Sequence, residues 1–218
     1  MKKTILILLL SLAFTSIAKT NIGLYFDEHG ELIPPDQILV ARALKQDQDG
    51  YKDLAMRYLK EAAAFGNDQA KYFTGLLYIQ QKDWINGYAW LKLVHSGTGD
   101  IDTLRPKIET LISDDEKQQA ELVFQGLKEE YSTIAGFEKR DKWRRSIRPT
   151  GSRIGGGKNF RSVNITTGSG AIVQGNQLEK MLDTFTYDYE FNPGQVNIGI
   201  LELIEEEKQD QQNSEDDQ

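Results

Sequence analysis

Between residues 36 and 133 apolar side chains recur at helical spacing, and polar or glycine breaks cut the run into lengths of about twelve to eighteen residues. Tyr51, Leu54, Ala55, Tyr58, Leu59, Ala62 and Ala63 follow the i, i+3, i+4, i+7 rule. Gly66 comes next, where glycine makes a left-handed helix end cheap, and Asn67-Asp68 offers caps to the following helix. That helix carries Tyr72, Phe73, Leu76, Leu77 and Ile79. Another begins near Asp83 and presents Trp84, Tyr88 and Leu91 before Gly97 and Gly99 break it. Ser113-Asp114-Asp115-Glu116 spells a capping box, with Ala120, Val123, Phe124, Leu127 and Tyr131 forming one stripe behind it. A helix of this kind must bury its stripe against a neighbour, so short breaks predict stacked antiparallel hairpins.

Shifting the chain by 32 residues lays Asp36-Gln37 on Asp68-Gln69, Leu44 on Leu76, Gln48 on Gln80, and Tyr58-Leu59-Lys60 on Trp90-Leu91-Lys92. Within this register, Ala62-Ala63-Ala64-Phe65-Gly66-Asn67-Asp68-Gln69-Ala70 resembles the hallmark of Sel-one-like repeats, relatives of the tetratricopeptide repeat. In that family a helix ends in two alanines, a Gly-Asn turn follows, and an alanine opens the next helix. Tyr88-Ala89-Trp90-Leu91-Lys92-Leu93 is similar to the second-helix segment that closes such arrays in bacterial proteins, where a final helix pair like 104–133 follows. The resemblance covers roughly residues 36 to 131. It departs from the pattern in lacking the Gly-rich loop inside each unit and in having about two units, which predicts a small capped bundle. The resemblance implies protein–protein scaffolding in envelope or secretion settings, without intrinsic catalysis.

The two ends of the chain have other characters. Met1-Lys2-Lys3 is a short basic start, Ile5 to Phe14 is apolar apart from Ser11, and Ser16 and Ala18 place small residues before a cut after Ala18. This is the plan of a secretory signal peptide, and its apolar run is too short to span ~30 Å of hydrocarbon. It predicts cleavage of residues 1–18 and export to a bacterial periplasm or beyond, with no transmembrane segment in the mature chain. Without Lys2 and Lys3 the chain holds 24 basic against 33 acidic residues, a balance that argues against nucleic acid as a partner. Residues 205–218 carry seven acids and one lysine with no aromatic, the composition of a disordered tail.

Residues 138–161 read as a basic, Gly-rich connector. Nine Lys or Arg stand against Asp141 between Lys139 and Arg161, with Trp143 and Phe160 interleaved. Arg144, Arg145, Arg148, Arg153, Lys158 and Arg161 are the candidate anion contacts, for lipopolysaccharide, peptidoglycan or anionic lipid. The alternatives are ordinary solvation, or pairing with the acidic tail. Gly155-Gly156-Gly157-Lys158 fails as a phosphate loop: Ser152 stands where the first glycine belongs, and Asn159 follows the lysine.

Residues 162–204 predict a small β-containing region. Phe160–Thr167 and Ala171–Gln174 suit hairpin strands around Gly168-Ser169-Gly170, and 176–185 suits a helix with Leu178, Met181, Leu182 and Phe185 on one face. Thr186 to Phe191 alternates like a strand, and Val196 to Ile204 follows after Asn192-Pro193-Gly194. Residues 19–35 predict an extended lead-in with a turn at Asp27-Glu28-His29-Gly30. The expected fold is therefore α+β: a short helical-hairpin array at 36–133, the connector, the small β-containing region, and the tail.

Catalytic chemistry has little to draw on. There is no cysteine, and the two histidines are isolated from each other in sequence and from any plausible serine. Asp188 and Glu190 would share a strand face, which alternation explains without an acid–base role. The sequence thus predicts a non-enzymatic interaction protein with no cofactor or metal, binding an envelope protein partner. Tyr72, Trp84 and Tyr88 are the candidate partner contacts, because aromatic side chains dominate binding surfaces. The alternative is an envelope-surface binder acting through the connector.

Overall fold

The computed structural model describes residues 23–147, 160, 164–168 and 170–189. The expected signal segment, Arg148, Arg153, Lys158, Arg161, the expected strand at Val196–Ile204 and the acidic tail lie outside the described residues. Among those described, eight helices and two small antiparallel sheets form a mostly helical α+β fold.

The lead-in is a hairpin. Strand β1 (Tyr25–Phe26) pairs with β2 (Leu32–Ile33), Tyr25 opposite Ile33 and Phe26 opposite Leu32. The Asp27 carboxylate closes the turn by accepting the N–H groups of His29 and Glu31 at 2.9 and 2.8 Å, as short acidic side chains do. Gly30, at φ +81°, lies close against Val173: a Cβ there would meet that side chain at 3.2 Å.

Helix α1 (Pro35–Gln48) starts on a proline, whose missing N–H costs nothing at a first helical position. It forms a hairpin with α2 (Lys52–Ala63), and α3 (Asp68–Gln80) forms a second with α4 (Trp84–Lys92). Helices α1 and α3 end 32 residues apart, and α2 and α4 begin 32 residues apart. Gly66 makes the turn between the hairpins at φ +95°, and Asn67 caps α3 by accepting the Ala70 N–H at 2.8 Å. Within the second hairpin α3 and α4 meet almost backbone to backbone: a Cβ on Gly75 would lie 2.8 Å from Leu91, and one on Gly87 2.6 Å from Ile79.

Helix α5 (Ile101–Leu111) and α6 (Asp114–Tyr131) cover the other side of α4. The capping box forms as the sequence spells it, with the Ser113 hydroxyl accepting the Glu116 N–H and the Glu116 carboxylate accepting the Ser113 N–H. Helix then resumes: Ser132 accepts the Ala135 N–H and starts α7 (Thr133–Ser146), so the first third of the basic stretch is helical. Strands β3 (Asn164–Thr166) and β4 (Ile172–Gln174) pair with Ile165 opposite Val173, and α8 (Gly175–Tyr187) follows directly.

Two apolar cores share the array. One gathers α1, α2 and α3 around Leu39, Leu59, Phe65 and Trp90; the other joins α4, α5 and α6 around Tyr88, Leu91, Ile101 and Ile108. A third, around Val173, Leu178 and Leu182, takes in Phe26 and Leu32 from the N-terminal hairpin and Trp143 from α7. The lead-in therefore packs with the C-terminal region.

The expected strand at 186–191 is corrected by α8. The helix runs on to Tyr187, and the Thr186 hydroxyl donates to the Leu182 carbonyl at 2.7 Å. Residues that alternate in a strand are about 100° apart on a helix. Tyr187 is accordingly exposed while Thr186 is fully buried.

Candidate functional site

Of the three aromatic candidates, Tyr72 on α3 and Trp84 at the start of α4 remain half-buried, both against the second core. The Tyr72 hydroxyl donates to Asp100, and burial together with that carboxylate pushes its phenol up to about 12. Tyr88 is corrected: it is only 6% exposed and belongs to the core. The reason is the position of α4, whose residues Gly87 to Leu91 are all buried because α3 closes one side and α5 and α6 the other.

The basic face is largely spoken for where it is described. Arg144 pairs with Asp183 of α8 and lies over the Tyr187 ring, and Arg145 pairs with Asp141 one turn earlier at 2.6 Å. Trp143 turns inward and meets the Phe185 ring edge-on at 5.2 Å, and Phe160 is buried in the third core. Neither aromatic is presented to an external anion.

The most elaborate polar arrangement lies at the Gly66-Asn67 turn. Asn67 is fully buried and donates to Asp36 Oδ2 at 2.8 Å. The same oxygen accepts the Tyr189 hydroxyl at 2.5 Å, from just beyond α8. Asp36 Oδ1 is buried and has no hydrogen-bond partner. Burial therefore pushes the Asp36 carboxyl above its usual range, although the Tyr189 and Asn67 bonds pull the other way. Burial and Asp36 likewise push the Tyr189 phenol far up, which keeps it a donor.

Arg140 of α7 grips this turn from above. Its guanidinium donates to the Phe65 carbonyl and, at 3.4 Å, to the Thr186 carbonyl, and lies 4.3 Å from the centre of the Tyr189 ring. Gly136, one turn earlier, touches Gly66 so closely that a Cβ would meet the Gly66 backbone at 2.8 Å. The turn thus ties α1, the two hairpins, α7 and the end of α8 together. Sequence reasoning missed Asp36, Arg140 and Tyr189 as a group. Arg140 sits inside a basic run that reads as solvated, and nothing in the sequence sets it apart.

A second buried acid occupies the next turn of the register. Asp68 accepts from Lys71 at 2.8 Å through one oxygen and contacts His95 Nδ1 through the other. Lys71 is almost wholly buried, whereas the His95 side chain is largely exposed. His95 stands three residues beyond α4, and His29 stays on the exposed turn beside Glu28.

Beside Tyr189 a cleft of about 480 Å³ opens between the N-terminal hairpin and α8. Leu32, Pro34, Met181 and Phe185 supply its apolar lining, and Glu31, Lys180 and Asp188 its charges. Asp188 lies just past the end of α8, and Glu190 lies outside the described residues. Among the described residues no three His, Asp or Glu side chains group to hold a metal ion, and no helix is long and apolar enough to cross a membrane. Compared with known protein families, curated proteins and solved structures, the chain matches none.

Proposed function

We propose that the chain is a non-enzymatic interaction protein of the bacterial envelope, exported through residues 1–18 and built on two Sel-one-like helical hairpins. The observation that carries this reading is the recurrence of helix ends 32 residues apart, with Gly66 and Asn67 at the joint the hallmark requires. Repeats of this kind bury their own faces against each other and leave side chains at the seams for a partner. Tyr72 and Trp84, half-buried on α3 and α4, are the partner contacts in this reading, and Tyr88 is not.

The test is photo-crosslinking in cells that export the protein, with a crosslinking residue at Tyr72 or Trp84 and mass spectrometry of the product. One reproducible protein partner, captured again by the purified mature chain, supports the scaffold. Capture of only envelope glycan or lipid, from probes placed in 138–161, overturns it in favour of envelope-surface binding.

A further inference from the structure

The cleft between the N-terminal hairpin and α8 has walls that are fixed by packing. Leu32 of the hairpin joins Leu178 and Leu182 of α8 in the third core. Tyr189, another lining residue, is held by its bond to Asp36 and by the Arg140 guanidinium against its ring. At about 480 Å³ the cleft has the volume of a small-ligand site, and walls already in place need little reorganisation to bind.

Its lining divides by exposure. Leu32 and Met181 are half-buried and Phe185 is buried, whereas Glu31, Lys180 and Asp188 are exposed. Apolar surface therefore lies deep, and charge stands at the mouth. Among the described residues none of those three charged side chains is in an ion pair. Their charges are free to meet charges brought by a ligand.

Spacing then sets the length of that ligand. Lys180 and Asp188 are eight residues apart, about 12 Å at the rise of a helix. An ammonium and a carboxylate about 12 Å apart are the two ends of an extended chain of three or four residues. Glu31 adds a second negative charge from the hairpin wall, so two acids face one lysine. Complementarity favours a peptide with one basic side chain of its own. We propose that the cleft binds a short, net-positive peptide with free ends, its ammonium at Asp188 and its carboxylate at Lys180. One aliphatic side chain of the peptide rests on Leu32, Met181 and Phe185. Neither Tyr72 nor Trp84 lines this cleft, so the site is separate from the partner contacts of the scaffold and does not depend on them.

The test titrates the purified mature chain with the tetrapeptide Ala-Leu-Lys-Ala and follows the backbone amide shifts. The expected result is saturable shifts at 177–189, with a dissociation constant below about 1 mM and residues 72–84 unmoved. Acetylating the peptide's amino end should weaken binding to the wild type about fivefold and leave binding to Asp188→Asn unchanged. Amidating its carboxyl end should behave in the same way towards the wild type and Lys180→Gln. Both residues are exposed, so their replacement leaves the core alone, and unchanged shifts elsewhere verify that each variant is folded. Glutamate in place of the peptide's lysine should weaken binding by a similar factor. Absence of saturable shifts up to about 10 mM, or shifts confined to other parts of the molecule, would overturn the proposal. So would equal binding of the peptide blocked at both ends, equal binding of the glutamate peptide, or end-blocking that weakens the variants as much as the wild type.

Discussion

Asp36 and Asp68 stand at the same point of successive hairpins, in the first turn of α1 and of α3, and their surroundings solve the same problem differently. Asp68 is satisfied by its own unit: Lys71 lies on the same helix and His95 follows the partner helix of that hairpin. One oxygen of Asp36 is satisfied, and from outside, by Asn67 at the start of the second hairpin and Tyr189 beyond the last described helix, while the other has no partner. A first-turn acid suits the positive end of a helix in both places. What differs is the charge of the donors, which is neutral around Asp36 and ionisable around Asp68. A shared register fixes the backbone setting of a residue and leaves its electrostatics to whatever packs above it.

That contrast can be broken at Lys71. Replacing it with Met keeps the volume and strands the Asp68 carboxylate against His95, so Lys71→Met should cost about 3 kcal/mol, measured by urea unfolding. Asp36→Ala comes next. It leaves the buried Asn67 amide and Tyr189 hydroxyl without their acceptor, at about 2 kcal/mol, and should loosen exchange protection at the end of α8.

Burial of Asp36 should also show in the pH dependence of stability. The folded-state Asp36 carboxyl titrates above the ordinary value of 3.8, so unfolding releases its proton within that window. Its contribution to stability is then greatest below 3.8 and falls as pH rises to the folded value. Asp36→Asn removes this slope. Urea midpoints of the wild type relative to Asp36→Asn should decline with rising pH across the window and then level. A rising difference would contradict the burial of Asp36. The smallest effect belongs to His95→Gln: its side chain is largely exposed, so losing the contact with Asp68 should cost under about 1 kcal/mol.

Where local chemistry decides the outcome, the fold was readable. The Ser113 capping box, the Asn67 cap, the Asp27 turn and the β3–β4 hairpin each rest on residues within ten positions of one another. The reading failed where periodicity was short and two periods competed. Tyr187, Tyr189 and Phe191 alternate well enough for a strand, yet Phe185 and Leu182 already commit the segment to a helix whose stripe lies one turn earlier. Tyr88 was misread for a related reason. A helix with two apolar faces looks amphipathic when only one face is followed, and α4 is enclosed on both. The hub at Gly66 was legible only in part. Its glycine and asparagine announce a turn, but the arginine that grips it comes from 75 positions away.

The bond between Tyr189 and Asp36 joins residues 153 positions apart, and Gly30 meets Val173 in the same part of the molecule. A chain made from its N-terminus can form both hairpins while Asp36 still lacks its second donor. The residue just past the last described helix therefore completes the first described one. Closing a loop of that length is entropically costly and slow, so the array should assemble early and lock late. Until Tyr189 arrives, the Asp36 carboxylate lacks a donor and favours an open, water-accessible α1.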